Sequence, residues 1–197
     1  MYAAGEAALR RVLLQVAALN LAYFALEFTI ARRIASVALF ADSIDFLEDT
    51  ALNVLVLAAL AWQPRQRARL GLALAALLLL PGIATLATAW QKWRLPLAPS
   101  PLGLSLTALG ALAVNLGCAL LLARVRHAGG SLSRAAFLSA RNDVWANVAI
   151  LAAAGVTAEW HSAWPDVAVG LAILALSLGA AREIYLGTRA TACRPRT

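Results

Sequence analysis

The chain has 197 residues, of which 62% are hydrophobic and only 14% charged, well above the apolar share of a soluble globular domain, so the lipid bilayer is its expected solvent. Its net charge of +7 comes from basic residues scattered over loops and helix ends rather than gathered on one soluble face, which argues against nucleic acid as a partner. Two cysteines as far apart as Cys118 and Cys193 exclude a disulfide framework.

Apolar runs of roughly 20 residues or more, enough to cross about 30 Å of hydrocarbon, predict an all-α membrane protein. Its six transmembrane helices are placed at about 9–31, 35–61, 69–91, 102–123, 135–157 and 165–188, so residues 1–197 read as a single membrane domain with no soluble domain. The first run follows Arg10 and Arg11, contains Asn20 and Glu27, and is too long for the core of a signal peptide, so it reads as a retained span. Asn20, Tyr23 and Glu27 share one side of it, either lining a cavity or hydrogen-bonding to neighbouring helices.

The second run carries Asp42, Asp45, Glu48 and Asp49, which together would cost on the order of 10 kcal/mol if they faced lipid. At about 100° per residue, Asp42, Asp45, Asp49 and Asn53 fall within an arc of roughly 80°, and Glu48 about 60° outside it. Asp42 either lines a path or caps hydrated backbone at its helix end, and Glu48 is assigned a structural ion pair, with Arg141 as candidate partner. The third run shows no polar stripe. The fourth places Thr107, Asn115 and Cys118 on one side, and the fifth places Ser139, Asn142, Asp143 and Asn147 within roughly 140°, with Arg141 near the opposite face. The sixth again shows no stripe. Four helices with polar faces can converge on a hydrated cavity, with the third and sixth packed outside them or against a second copy in a homodimer.

Asp45, Asp49 and Asn53 match Ser139, Asp143 and Asn147 at an offset of 94 residues, the pattern of a repeat of three helices plus three. With both termini cytoplasmic, that side holds Arg10, Arg11, Arg65, Arg67, Arg69, Arg124, Arg126, Arg134, Arg182, Arg189, Arg194 and Arg196. The other side holds Arg32, Arg33, Lys92 and Arg94, the bias that the positive-inside rule requires of a multi-pass protein in a bacterial-type inner (plasma) membrane. Trp62, Trp90, Trp93, Trp160 and Trp164 fall at span ends, where an aromatic belt is expected.

Residues at i and i+4 project from one helical face, so Asp45 and Asp49 can both turn an oxygen toward one divalent cation, and Asp143 can close the site. Crowded carboxylates repel one another and favour proton uptake until a cation replaces the protons, which is the requirement for metal/proton antiport with protons as counter-ion.

ADSIDFLED followed by SARNDVWAN resembles the cation diffusion facilitator family over nearly the whole chain. The first segment resembles that family's second helix, in which a His or Asp is followed four residues on by Asp, and the second resembles its fifth helix. Trp164, Pro165 and Asp166 resemble the opening of its sixth. The resemblance implies a six-helix transmembrane domain of that fold, divalent-cation efflux, no cofactor, and Asp45, Asp49 and Asp143 as ligands of the transported ion. Ser139 departs from the pattern, standing where the family usually has His or Asp, and His127 and His161 lie in loops. The donor set is then all oxygen unless Cys118 joins it, which leaves zinc, cobalt, iron, manganese or magnesium as cargo, with Ser139, Asn142 or Asn147 as supplementary donors. Asp42 and Glu27 are the pathway candidates. The sequence ends a few residues past the sixth span, so the cytoplasmic metal-sensing domain usual in the family is not expected.

Two other classes compete with a transporter. One is a non-transporting membrane partner or inactive paralogue that kept the helices. The other is an intramembrane aspartyl protease, against which stand the missing GxGD element and the third carboxylate; no enzyme is expected.

Overall fold

A computed structural model describes residues 2–61, 63, 66, 82–125 and 130–177, with side chains described in 7–58, 63, 66, 82–125 and 137–177. Among the described residues the regular structure is entirely helical. The six helices are α1 Tyr2–Ile34, α2 Val37–Ala61, α3 over 82–94, α4 Pro101–Ala123, α5 Gly130–Trp160 and α6 Trp164–Ser177. Most of the third expected span, the second half of the sixth, Trp62, His127 and Cys193 lie outside the described residues. Helices α1 and α5 start well before the apolar runs that announced them, because hydropathy marks the slab a helix crosses, whereas Arg10, Arg11 and Arg134 are good helix formers beyond it.

Local chemistry fixes the turns. Helix α1 ends at Ile34 with Ala35 in the left-handed region at φ 52°, and the Ser36 amide reaches back to the Ala31 carbonyl at 3.1 Å, closing a Schellman-type cap. Ser36 then caps α2, its Oγ accepting from the Leu39 amide at 3.1 Å. Helix α4 opens with Ser100 as cap and Pro101 in the first turn, the Ser100 Oγ accepting from the Gly103 amide at 3.2 Å.

The resulting hairpin runs α1 antiparallel to α2. Thr50 bonds the Ala17 carbonyl at 3.5 Å, Asn20 meets Asp49, the Tyr23 and Phe46 rings lie 4.9 Å apart, and those of Phe28 and Phe40 lie 5.4 Å apart. Asn147 reaching Asp42, and Ser139 bonding Asp49, set α5 antiparallel to α2 as well. Helix α6 runs parallel to α2, with Asp166 beside Val37 and Ser177 beside Asp45. Gly170 permits this approach: a Cβ there would lie 2.6–2.7 Å from the Val37–Ala38 backbone. Gly110 on α4 similarly makes room for the Tyr23 ring, whose hydroxyl bonds the Thr107 carbonyl at 2.6 Å.

Helix α2 is therefore the central element, buried almost continuously from Val37 to Asn53. Toward its N-terminal end it joins an apolar cluster with Leu104, Ala108, Ile150, Ala154 and Ile173. Toward its other end Val56 joins Leu9, Leu13, Val16, Leu122 and Ala140. Between the two clusters the interior is polar.

The outside is apolar instead. Leu14, Leu21, Leu102, Leu106, Leu120, Trp145 and Leu176 are all at least half exposed. Two helices, at Ala7–Ile34 and Pro101–Ala123, are long and apolar enough to cross a membrane, which weakly supports membrane association. Helices α2 and α5 have the length, at 25 and 31 residues, and carry buried acids and amides.

Candidate functional site

The polar interior is assembled from one side chain per turn on facing helices. Along α2 the order is Asp42, Asp45, Asp49 and Asn53; α1 contributes Glu27 and Asn20, α5 contributes Asn147, Asp143 and Ser139, and α4 contributes Cys118.

Asp49 is at the best-connected point. It accepts a hydrogen bond from Asn20 Nδ2 at 3.4 Å and one from Ser139, while Asn53 Nδ2 bonds its backbone carbonyl at 2.7 Å. Asn20 in turn accepts from the Cys118 thiol at 3.5 Å. Asp49 is the charged group that acts most strongly on Asp143, ahead of Asp45, Asp42 and Glu48. The structure thus brings Asp49, Asp143 and Ser139 together.

Asp45 is drawn aside, accepting a hydrogen bond from the Ser177 hydroxyl on α6. Among the described residues no three His, Cys, Asp or Glu side chains are gathered closely enough to hold a metal ion in this arrangement.

Other candidates separate from this layer. Asn142 is exposed on the outer face of α5, about 100° around the helix from Asp143, so it is not placed to serve as a donor. Asn147 is buried and turns toward Asp42: its Nδ2 bonds the Asp143 carbonyl at 2.8 Å and points at Asp42 Oδ1 at 3.5 Å. It belongs with Asp42 rather than with Asp49. Glu48 is half-buried and Arg141 exposed, and among the described residues no ion pair joins them. Glu27 is fully buried beside Asp42, and neither of its carboxylate oxygens receives a hydrogen bond from the protein, which sets it apart from the hydrogen-bonding Asn20 and Tyr23 on the same helix.

Two features escaped sequence reasoning. Ser177, the polar interruption of LALSLGA, gives α6 a place in the layer although that helix shows no stripe. Lys92, which the sequence places only by side of the membrane, forms a buried ion pair with Asp166 at 3.3 Å. Asp166 also accepts from Ser36 Oγ at 2.6 Å and from the Val37 and Ala38 amides at 2.9 and 3.2 Å, so it caps α2 from another helix. Lys92 completes the hub by donating to the Leu97 carbonyl at 3.0 Å. An Asp directly after Trp-Pro at a helix start was the available signal.

No protein-family model matches this chain, and no curated protein matches it.

Proposed function

We propose that this chain is a six-span membrane transporter of divalent cations, working as a metal/proton antiporter through the layer formed by Asp49, Asp143 and Asp45. The observation that carries the reading is the inverted distribution of polarity: buried carboxyls whose strongest charged neighbours are one another, inside a surface of exposed Leu and Trp. Buried acids without cationic partners are costly in a membrane and mark ion and proton pathways.

Several features support the finer reading. Helices α1, α3 and α5 end where α2, α4 and α6 begin, the alternation that six crossings require. The exposed Trp90, Trp93, Trp160 and Trp164 gather at that same end, and Trp93 meets Trp164 edge-to-face at 5.4 Å, as in an interfacial girdle. The antiparallel crossing of α2 and α5, whose sequences match at an offset of 94, is the relation between halves of an inverted repeat. The order and helix placement of the two aspartate motifs keep the resemblance to the cation diffusion facilitators as the working fold and mechanism.

In this reading the apolar clusters at either end of the layer close the pathway, and the cargo enters when one of them opens. Metal binding draws Asp45 from Ser177 toward Asp49 and Asp143; protons entering from the opposite side release it. Basic loops keep both termini cytoplasmic, and export is the direction. A second reading, a non-transporting membrane partner, is favoured by one observation: Asp45 is held by Ser177, which leaves the three acids ungathered.

Uptake of a panel of divalent ions into everted vesicles separates the two. Transport predicts accumulation of at least one of zinc, cobalt, iron, manganese or magnesium that Asp143→Ala abolishes. No accumulation of any ion by the wild type leaves the partner reading.

A further inference from the structure

The strongest unexplained polar atoms lie one helical turn from the layer just described. Both carboxylate oxygens of Glu27, Oδ2 of Asp42 and Oδ1 of Asn147 are buried and receive no hydrogen bond from the protein. They come from three helices, α1, α2 and α5. The carboxyls of Glu27 and Asp42 are within hydrogen-bonding reach of each other, and Asn147 Nδ2 points at the other oxygen of Asp42 at 3.5 Å. The Asn147 amide orientation is fixed independently by its 2.8 Å bond to the Asp143 carbonyl, so the unpartnered end is the oxygen.

The donors nearby are committed. Tyr23, one turn along α1, gives its hydroxyl proton to the Thr107 carbonyl at 2.6 Å, and Lys92 is taken by Asp166 and Leu97. Two carboxylates that meet with no donor between them require a positive species, because like charges in a desolvated space repel strongly. A shared proton joins the two carboxyls but leaves Asn147 Oδ1 unpartnered. A metal ion between the two carboxylates answers their charge, and the unpartnered Asn147 oxygen is the further donor available beside Asp42.

We propose that Glu27, Asp42 and Asn147 form a second cation site, distinct from the Asp45–Asp49–Asp143 layer, for a hard divalent ion of the Mn2+ or Mg2+ class. Carboxylate and amide oxygens without imidazole or thiolate are the ligand set such ions take, with water completing the shell. The site stands on its own atoms and does not require the layer to be a transport site.

Mn2+ is the probe. Electron paramagnetic resonance titration of the purified full chain in detergent counts bound Mn2+, since the free aquo ion gives the visible signal. Glu27→Gln and Asp42→Asn should each lower the count by about one ion per chain, the loss of one carboxylate ligand. Asp49→Asn should leave that ion in place. An Asp49→Asn count equal to wild type, with the Glu27→Gln loss intact, keeps this site and removes metal binding from the layer. The amide variants should unfold without metal at the wild-type temperature or above it, since each removes a buried charge, and their stabilisation by Mn2+ should shrink. A wild-type Mn2+ count in Glu27→Gln and Asp42→Asn overturns the proposal. So does an unchanged count accompanied by loss of one titrating proton, which makes the pair a proton site instead.

Discussion

Two buried acidic regions a few turns apart along α2 differ in how their charges are answered. At the N-terminal end of the helix Asp166 is fully buried and has every partner a carboxylate can use: a hydroxyl, two amides and the Lys92 ammonium. Further along, Asp42, Asp49, Asp143 and Glu27 are also buried, and the charges acting on Glu27 and Asp143 are those of other acids. Satisfied buried charge fixes structure, because removing one partner strands the other. Under-satisfied buried charge costs stability and persists where a ligand or proton supplies the missing partner. The first region is the lock of the fold, and in the proposed function the second is its working part.

That contrast is broken most directly at Asp166. Asp166→Ala should destabilise the protein by about 3–5 kcal/mol in reversible unfolding, leaving Lys92 buried and uncompensated and the α2 terminus uncapped. Adding Lys92→Met should recover part of the loss; if the double variant is no better than the single one, the ion pair is not what holds this end. Next in size is Gly170→Ala, which forces α6 off the Val37–Ala38 backbone and should cost about 1–3 kcal/mol by the same measurement. Ala35→Gly should act in the opposite direction, raising stability by about 1 kcal/mol, because it relieves a left-handed residue at φ 52°. Smallest in stability is Asp49→Asn, expected to shift unfolding by less than about 1 kcal/mol, since the amide oxygen still accepts from Asn20 and Ser139.

The sequence pattern reached the working region more fully than the lock. Period-3.6 projection put Asp42, Asp45, Asp49 and Asn53 on one face because α2 is a regular helix, and the same projection set Ser139, Asp143 and Asn147 on α5. It overreached at Asn142, since a 140° arc is wider than the strip of α5 that contacts α2, and the residue is exposed. Ser177 was missed because a lone hydroxyl makes no stripe; its role appears only when α6 lies parallel to α2. Lys92 and Asp166 are separated by a whole helix pair in sequence, and no local pattern announces a pairing made by the meeting of two helix ends. The inward turn of Asn147 toward Asp42 is equally a matter of rotamer, which spacing does not encode.

The central claim is that the carboxyl layer conducts a divalent cation in exchange for protons. Purified protein in proteoliposomes carrying a pH-sensitive dye tests it: an inward gradient of the ion selected by the vesicle panel should release protons from the wild-type lumen. In Asp49→Asn and Asp143→Asn, folded to the same extent, the flux should fall by about 10- to 100-fold or more. Proton release at the wild-type rate in both variants would contradict the account.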